Sequence, residues 1–193
     1  MELPVVVRKL TLKDDLVRVG RLIYLTDPYI FPYLFDSDID AAARVFAEMV
    51  KGDTLYNFAN ITAAFVGDTL AGILIACDTP LTVASSEMMD AYMRAGEIVD
   101  EKFAKVFREY YALLENEPDG IYIANVSVDP KFRRRGVADA LLTAVLRQGE
   151  LYRLETVKAN GAAYGLYEKH GFVVECEYPG FTDVPCLRMV RPA

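Results

Sequence analysis

Hydrophobic positions recur along this chain with two different periods, and together they predict an alternation of strands and helices. Runs that alternate in steps of two, or that are rich in β-branched residues, predict strands over residues 5–10, 61–66, 70–77, 121–128, 154–158, 171–177 and 186–190. Apolar residues at helical spacing predict helices over residues 16–24, 39–50, 137–146 and 160–170. This order of elements predicts an α/β fold in which helices cover both faces of a sheet.

Two segments depart from that alternation. The forty residues from Thr79 to Pro118 separate the third predicted strand from the fourth, and they keep helical spacing through Met89, Met93, Val99, Phe103, Val106, Tyr110 and Leu114. Gly96 is expected to kink or split this helical insertion. The stretch from Thr26 to Asp38 is too broken by proline for a regular element and too aromatic for an ordinary solvent loop.

Composition narrows the class of protein. With 193 residues, 53% of them hydrophobic, the chain can bury one good core, and we expect residues 1–193 to form a single domain. The chain does not begin with a basic region followed by an apolar run, and no apolar stretch approaches membrane-spanning length, so we expect a cytoplasmic protein. Three scattered cysteines, Cys77, Cys176 and Cys186, predict reduced thiols rather than a disulfide framework.

The net charge is −7, which disfavours nucleic acid or an anionic membrane surface as a partner and suits a cationic substrate. Solubility alone accounts for such an excess in many proteins, so charge carries little weight by itself. One histidine and three distant cysteines give no zinc spacing, and the chain has no phosphate-binding loop of the form G-x-x-x-x-G-K. A Ser-His-Asp system would have to use His170. We therefore expect no metal site and no chemistry of those kinds.

The strongest local pattern is the run from Asp129 to Ala138, where a predicted strand turns into a predicted helix. It contains Arg133, Arg134 and Arg135, followed by Gly136. Unpaired backbone N–H groups and the helix dipole attract anions at such a point, a glycine lets a ligand approach the backbone closely, and arginine forks suit phosphate. The pattern predicts a diphosphate site, with a solvated or nucleic-acid-binding basic cluster as the alternative.

The motif Arg133-x-x-Gly136-x-Ala138 after Val-x-Val-Asp-Pro resembles the acyl-CoA-binding loop of the GNAT N-acetyltransferase superfamily. Downstream, Asn160-x-x-Ala163-x-x-Leu166-Tyr167-Glu168-Lys169-x-Gly171-Phe172 resembles the next motif of that family. Two motifs in the right order rarely coincide. The resemblance covers the C-terminal third by motif and implies a GNAT-like mixed sheet with helices on both faces, here with a helical insertion before the central strand.

The resemblance implies a site for coenzyme A. The backbone amides of Arg134, Arg135, Gly136, Val137 and Ala138 would hold the pyrophosphate, while Val126 and Val128 would offer strand backbone to the pantetheine arm. Arg133 and Ser127 are the other predicted cofactor-binding residues of these two segments. Asn160 would contact the cofactor, with an N-cap role as its alternative. Tyr167 would protonate the leaving thiolate, although a buried structural tyrosine would look the same in sequence.

The general base is not evident in the sequence. Asn125 stands near the position where many relatives carry a glutamate base, and an amide cannot titrate. Asp27, Asp78 and Tyr122 are candidate replacements. His170 is expected to be a surface residue at a helix end.

The resemblance also implies that the segment after the first helix borders the acceptor. Asp27, Tyr29, Phe31, Tyr33 and Asn125 are the predicted substrate-binding residues, since carboxylates and aromatic faces favour an ammonium group. The alternative is that the aromatic residues complete the core and the aspartates cap the next helix. The insertion is expected to pack over the acceptor side or to form a dimer contact.

The sequence therefore predicts an acetyltransferase that moves an acetyl group from acetyl-CoA to a small-molecule amine or a peptide N-terminus, by direct attack in a ternary complex. No nucleic acid or membrane partner is expected, and a homodimer is left open. A non-catalytic acyl-CoA-binding or regulatory module, and a thioester hydrolase, are the alternatives.

Overall fold

The structure is a computed structural model that describes residues 3–81, 85–96, 101–180 and 183–193. Its strands are β1 (Val5–Lys9), β2 (Ile61–Val66), β3 (Thr69–Thr79), β4 (Gly120–Val128), β5 (Tyr152–Val157), β6 (Val173–Pro179) and β7 (Pro185–Arg191). Its helices are α1 (Leu16–Tyr24), α2 (Ile30–Leu34), α3 (Ile39–Lys51), α4 (Ser85–Arg94), α5 (Glu101–Glu115), α6 (Val137–Val145) and α7 (Gly161–Lys169).

The strands form one sheet in the order β1-β2-β3-β4-β5-β7-β6. Neighbours are antiparallel except β4 and β5, which run parallel. In the described part of the chain, the paired register of these two parallel strands covers only residues 121–123 and 152–154. Both strands continue further, to Val128 and Val157, so they diverge and open a gap in the middle of the sheet.

Each face of the sheet buries its own apolar cluster. One cluster joins the sheet to α1, α3 and the two insertion helices, and the other joins it to α6 and α7. The packing of α1 on α3 is close, because a Cβ placed on Gly20 would lie 2.3 Å from the carbonyl oxygen of Ala43. This contact fixes α1, and therefore the chain that follows it, against the first face of the sheet.

A bulge in the central strand determines which side chains reach that face. Asn125 pairs with Ile75 of β3, whereas Ile123 pairs with Ala76, so Ala124 is an extra residue in β4. Without the bulge, residues 122 and 125 would point to opposite faces. With it, Tyr122 and Asn125 both point toward the side of α1 and α5.

The predicted α/β class, with helices on both faces and a helical insertion before the central strand, is confirmed. The insertion is split into α4 and α5 on either side of Gly96, and Val99 of the predicted stripe lies outside the described residues. The expectation of no regular element between Thr26 and Asp38 is wrong, because α2 forms there. Its Pro32 lies in the first helical turn, where a missing N–H costs no hydrogen bond.

None of the described helices is both long enough and apolar enough to cross a lipid bilayer.

Candidate functional site

The arginine-rich loop after β4 presents the first turn of α6 to solvent. Gly136 has φ of +74° and begins the helix, and a Cβ built on it would meet no atom within 4 Å. Arg134, at φ of +63°, also adopts a left-handed conformation. The side chains of Arg133, Arg134 and Arg135 are exposed. Unpaired N–H groups, a positive helix end and three arginines therefore surround open space, which fits an anion such as a diphosphate.

This loop is held by one arginine from the opposite layer. Arg18 of α1 donates one hydrogen bond from Nε to the Leu70 carbonyl and another from its Nη2 to Asp129, both at 2.7 Å. The other Asp129 oxygen accepts from the Lys131 N–H at 2.9 Å. The guanidinium fork thus fixes the start of the loop to both β3 and α1.

A cavity of about 200 Å³ occupies the gap where β4 and β5 diverge, and it has walls on both sides of the sheet. On the side of α7 it is lined by Asn160, Ala163 and Tyr167. On the side of α1 and α5 its walls include Asp27, Tyr29, Phe31, Tyr56, Phe107, Tyr110, Tyr122, Asn125, Glu155 and Tyr178. The cavity therefore connects the predicted cofactor side with the predicted acceptor side through the sheet.

Tyr167 lies at the α7 end of this cavity. Its side chain is 7% exposed, and its ring packs against that of Phe172 at a centroid distance of 5.9 Å. Burial raises the pKa of Tyr167 to about 12. The phenol therefore stays protonated at neutral pH, as a proton donor must. Asn160 lines the same end and also caps α7, accepting a hydrogen bond from the Ala163 N–H at 3.2 Å.

Glu155 of β5 lies on the opposite side of the sheet, among tyrosines. The hydroxyl groups of Tyr178 and Tyr122 hydrogen bond to its carboxylate. Burial raises the pKa of Glu155 above its ordinary value of 4.5, and these two hydrogen bonds offset part of that rise. Arg188 is the register partner of Glu155, but its guanidinium pairs with Glu117 and Glu175 instead.

Sequence reasoning missed Glu155, although one signal was present. It is a lone carboxylate in a short strand next to the central strand, between Leu154 and Thr156. Alternation in β5 directs Leu154 into the cluster under α6 and α7 and Glu155 to the other face. A charged residue on that face of a strand next to the central strand indicates a cavity there.

The structure places the three candidate bases proposed from the sequence in different surroundings. Asp78 is exposed and does not line the cavity. Burial, followed by the neighbouring Tyr110 and Glu155, raises the pKa of Tyr122 well above 10, so Tyr122 is a poor base at neutral pH. Asp27 lines the cavity, but its Oδ1 accepts from the N–H groups of Tyr29 and Ile30, both at 2.8 Å.

The predicted acceptor residues separate into two groups. Asp27, Tyr29, Phe31 and Asn125 line the cavity. Tyr33 does not: its side chain is 55% exposed, and the Lys102 ammonium lies 5.3 Å from its ring centroid.

The structural alternative holds for other members of the segment. Phe35 is buried in the core against Phe46, and Asp38 caps α3 through the N–H groups of Asp40 and Ala41. The N-cap role therefore accounts for Asp38 without any substrate.

The insertion contributes to the same site, because Val106, Phe107 and Tyr110 of α5 line the cavity. The charged residues in the described lining are Asp27 and Glu155, both acidic. His170 is half-buried at the end of α7, with its Nε2 3.0 Å from Asp139. The described residues contain no group of three or more histidine, cysteine or acidic side chains arranged to hold a metal ion.

Comparison with known proteins relates this chain to acetyltransferases. Residues 88–174 match the sequence model of a family described as "Acetyltransferase (GNAT) domain". No match was found among curated proteins.

The fold is similar to solved acetyltransferase structures. An N-acetyltransferase from Staphylococcus aureus Mu50 is 20% identical with a TM-score of 0.67, over 96% of this chain and 99% of that one. An Arabidopsis thaliana Naa50 in complex with the bisubstrate analogue CoA-Ac-MVNAL is 15% identical with a TM-score of 0.57, over 98% of this chain and 99% of that one. A NatC complex bound to Gag peptide and CoA is 16% identical with a TM-score of 0.57, over 100% of this chain and 99% of the matched chain. At these identities the likeness shows the fold.

Proposed function

Since residues 88–174 match the model of a GNAT acetyltransferase domain, we propose that the chain transfers the acetyl group of acetyl-CoA to a primary amine by direct attack in a ternary complex. The observation that carries this proposal is the cavity through the sheet. It joins a proton donor, Tyr167, on the cofactor side to a carboxylate, Glu155, on the acceptor side. An amine and a thioester meeting between them would have a base and an acid available.

Coenzyme A would bind along the α7 side of the gap. Its diphosphate would lie on the backbone N–H groups from Arg134 to Ala138, at the positive end of α6. Its pantetheine arm would pair with the edge of β4 at Val126, Ser127 and Val128, which β5 leaves unpaired as the two strands diverge. Neighbours whose structures contain CoA or a CoA conjugate support this assignment.

The chemistry requires two proton movements. Glu155 takes one proton from the acceptor ammonium, and the free amine then forms a bond to the thioester carbon. When the tetrahedral intermediate collapses, the C–S bond breaks and the sulfur takes a proton from Tyr167. The attacking amine brings two protons on its nitrogen and the product amide keeps one, so the other restores the phenol of Tyr167. The products are an N-acetyl amine and coenzyme A, and the proton on Glu155 returns to solvent.

The first experiment measures release of the coenzyme A thiol from acetyl-CoA with a panel of amines and without any amine. Acetylation of an amine, with little release in its absence, is the expected result. Release without an amine would indicate a thioester hydrolase. Tight acetyl-CoA binding with no turnover on any amine would indicate a binding module. The Glu155→Gln variant should retain acetyl-CoA affinity and lose turnover.

A second experiment tests the diphosphate site with a matched pair of glycines. Gly136 and Gly149 both have left-handed φ values, +74° and +81°, and a Cβ added to either would meet no atom within 4 Å. Gly136→Val and Gly149→Val therefore carry similar backbone strain. Calorimetry should show loss of acetyl-CoA binding only for Gly136→Val. Equal affinities in two folded variants would remove this loop from the cofactor site. Cytoplasmic location and a homodimer remain predictions.

A further inference from the structure

The side chain of Asn125 leaves a buried hydrogen-bond acceptor without a partner in the cavity. Asn125 is 9% exposed, and its Oδ1 is among the described buried atoms that have no hydrogen-bond partner. A buried unpaired amide oxygen costs free energy, and groups of this kind in native structures generally have a role. Such an oxygen in a cavity wall indicates that a bound ligand supplies the missing N–H donor.

The hydrogen bonds around Asn125 fix which end of the amide is free. Thr26 donates its hydroxyl proton to the Ile23 carbonyl at 2.7 Å. The Thr26 oxygen can then only accept, and it accepts from the Asn125 Nδ2 at 2.7 Å. Rotating the Asn125 amide by half a turn would place its oxygen against the Thr26 oxygen, and both atoms would then be acceptors. The free atom is therefore Oδ1, which can bind a donor but cannot stabilise a negatively charged oxygen.

The bulge at Ala124 gives this oxygen its position. It directs Asn125 to the same face as Tyr122, next to the strand that carries Glu155. Two acceptors, an amide oxygen and a carboxylate, thus stand on neighbouring strands of one cavity wall. An ammonium group has three N–H donors and can satisfy both.

The other residues of the cavity wall determine which organic group can be attached to that ammonium. The side chains of this wall are mainly aromatic or aliphatic, among them Tyr29, Phe31 and Phe107, and its charged members are Asp27 and Glu155. A carboxylate or phosphate on the acceptor would meet negative charge in an apolar setting, which is unfavourable. The cavity of about 200 Å³ must also admit the thioester end of acetyl-CoA, and a cavity of ~150 Å³ encloses a benzene ring. The acceptor body should therefore be no larger than about one ring.

We propose that Asn125 binds the acceptor through an N–H of its ammonium group. The acceptor is a small molecule with a single amino group, and the rest of it is uncharged and carries one ring or a branched alkyl group. This inference rests on the proposed acetyltransferase function. It assigns Asn125 the positioning of the nucleophile, while the proton goes to Glu155.

The test compares three acceptors with acetyl-CoA as donor. 2-Phenylethylamine has one ammonium and one ring, free phenylalanine adds only a carboxylate to it, and a tetrapeptide supplies a peptide N-terminus. The expected kcat/KM for 2-phenylethylamine exceeds that of both others by about tenfold or more. Equal or better use of phenylalanine or of the peptide would overturn the assigned acceptor class.

The role of Asn125 is tested with Asn125→Ala. We expect the KM for 2-phenylethylamine to rise about 10- to 100-fold, the cost of losing a hydrogen bond to a charged group, with the acetyl-CoA Kd within about twofold of wild type. Thr26→Val, which frees the amide to turn over, should raise the same KM by a smaller factor. Both comparisons include a thermal melt to establish folding. If Asn125→Ala weakens acetyl-CoA instead, the oxygen serves the pantetheine arm and the inference is wrong.

These results distinguish a failure of the proposed function from a failure of the inference about Asn125. A wild-type protein that acetylates no amine overturns the proposed function. A protein that acetylates amines with an unchanged KM in folded Asn125→Ala overturns only the inference about Asn125.

Discussion

Replacing Tyr167 by phenylalanine removes one hydroxyl group and leaves the surrounding packing unchanged. The ring is 7% exposed and contacts Phe172 edge-on, with an interplanar angle of 61°. Phenylalanine preserves this contact and the apolar area buried there. Loss of activity in this variant would therefore report on the proton that we propose the hydroxyl donates to the coenzyme A sulfur.

The expected size of the loss follows from the pKa of the phenol. Positioned general acids contribute about 10²- to 10⁴-fold, and they work best with a pKa near the working pH. Burial raises the pKa of Tyr167 to about 12, which makes it a weak acid. We therefore expect the lower part of that range, about 10²- to 10³-fold in kcat, which corresponds to ~2.7 to 4.1 kcal/mol of barrier. The acetyl-CoA Kd should change less than about twofold, since the hydroxyl does not hold the ground state.

The assay is a single-turnover measurement of thiol release, because steady-state kcat can be limited by product release. Tyr164→Phe is the matched control: it removes a hydroxyl from the same helix, where the Tyr164 phenol donates to exposed Glu168 at 3.3 Å and does not line the cavity. Its turnover should equal that of wild type. A Tyr167→Phe protein with the wild-type rate would assign this tyrosine to packing alone, and a loss matched by weaker acetyl-CoA binding would assign it to the cofactor site.

Three further predictions concern charge, packing and the diphosphate loop. Because the folded pKa of Glu155 lies above 4.5, the base is lost as pH falls through that raised pKa, and kcat/KM should decline there. Above the same pKa the buried carboxylate is charged and destabilises the fold, so Glu155→Gln should be the more stable protein in urea at pH 8. The difference should vanish below about pH 4.5, where the carboxyl is protonated in both the folded and the unfolded state. Gly20→Ala places a Cβ 2.3 Å from the Ala43 carbonyl oxygen and should cost about 1 to 3 kcal/mol or more of unfolding free energy, whereas Gly165→Ala, in open space on α7, should stabilise by roughly 0.5 to 1 kcal/mol. Arg18→Lys cannot bridge Leu70 and Asp129 as a fork, so calorimetry should show acetyl-CoA binding about 5- to 10-fold weaker in a protein that still unfolds cooperatively. Equal affinity would mean that the loop holds its shape without this bridge.

The arginine-rich loop and α7, which we propose hold the cofactor, could be predicted from sequence because their determinants are local. The arginines, Gly136 and the helix that follows are consecutive in the chain, and their geometry depends on a strand end and a helix start. Asn160 and Tyr167 lie on one short helix. Periodicity and spacing are sufficient for features of this kind.

The proposed acceptor side depends on long-range pairing, which the sequence does not display. The bulge at Ala124 becomes visible only in the register of β4 against β3. Tyr110 reaches the cavity from the insertion, and Glu155 and Tyr178 reach it from β5 and β6. The aromatic segment was predicted to face the acceptor as a whole, but Tyr33 points outward and Phe35 belongs to the core.

The divergence of β4 and β5 also separates the two groups that we propose transfer protons. Tyr167 approaches the gap from the side of α7, and Glu155 from the side of α5, so the sheet lies between them. Their pKa values are shifted upward by the same cause, burial, but with opposite consequences: the phenol is kept neutral and the carboxylate becomes a stronger base. A reacting amine would lose its first proton on one side of the sheet, and the thiolate would gain its proton on the other. The two steps therefore need no direct proton path between Glu155 and Tyr167, and loss of either group should leave the pH dependence set by the other intact.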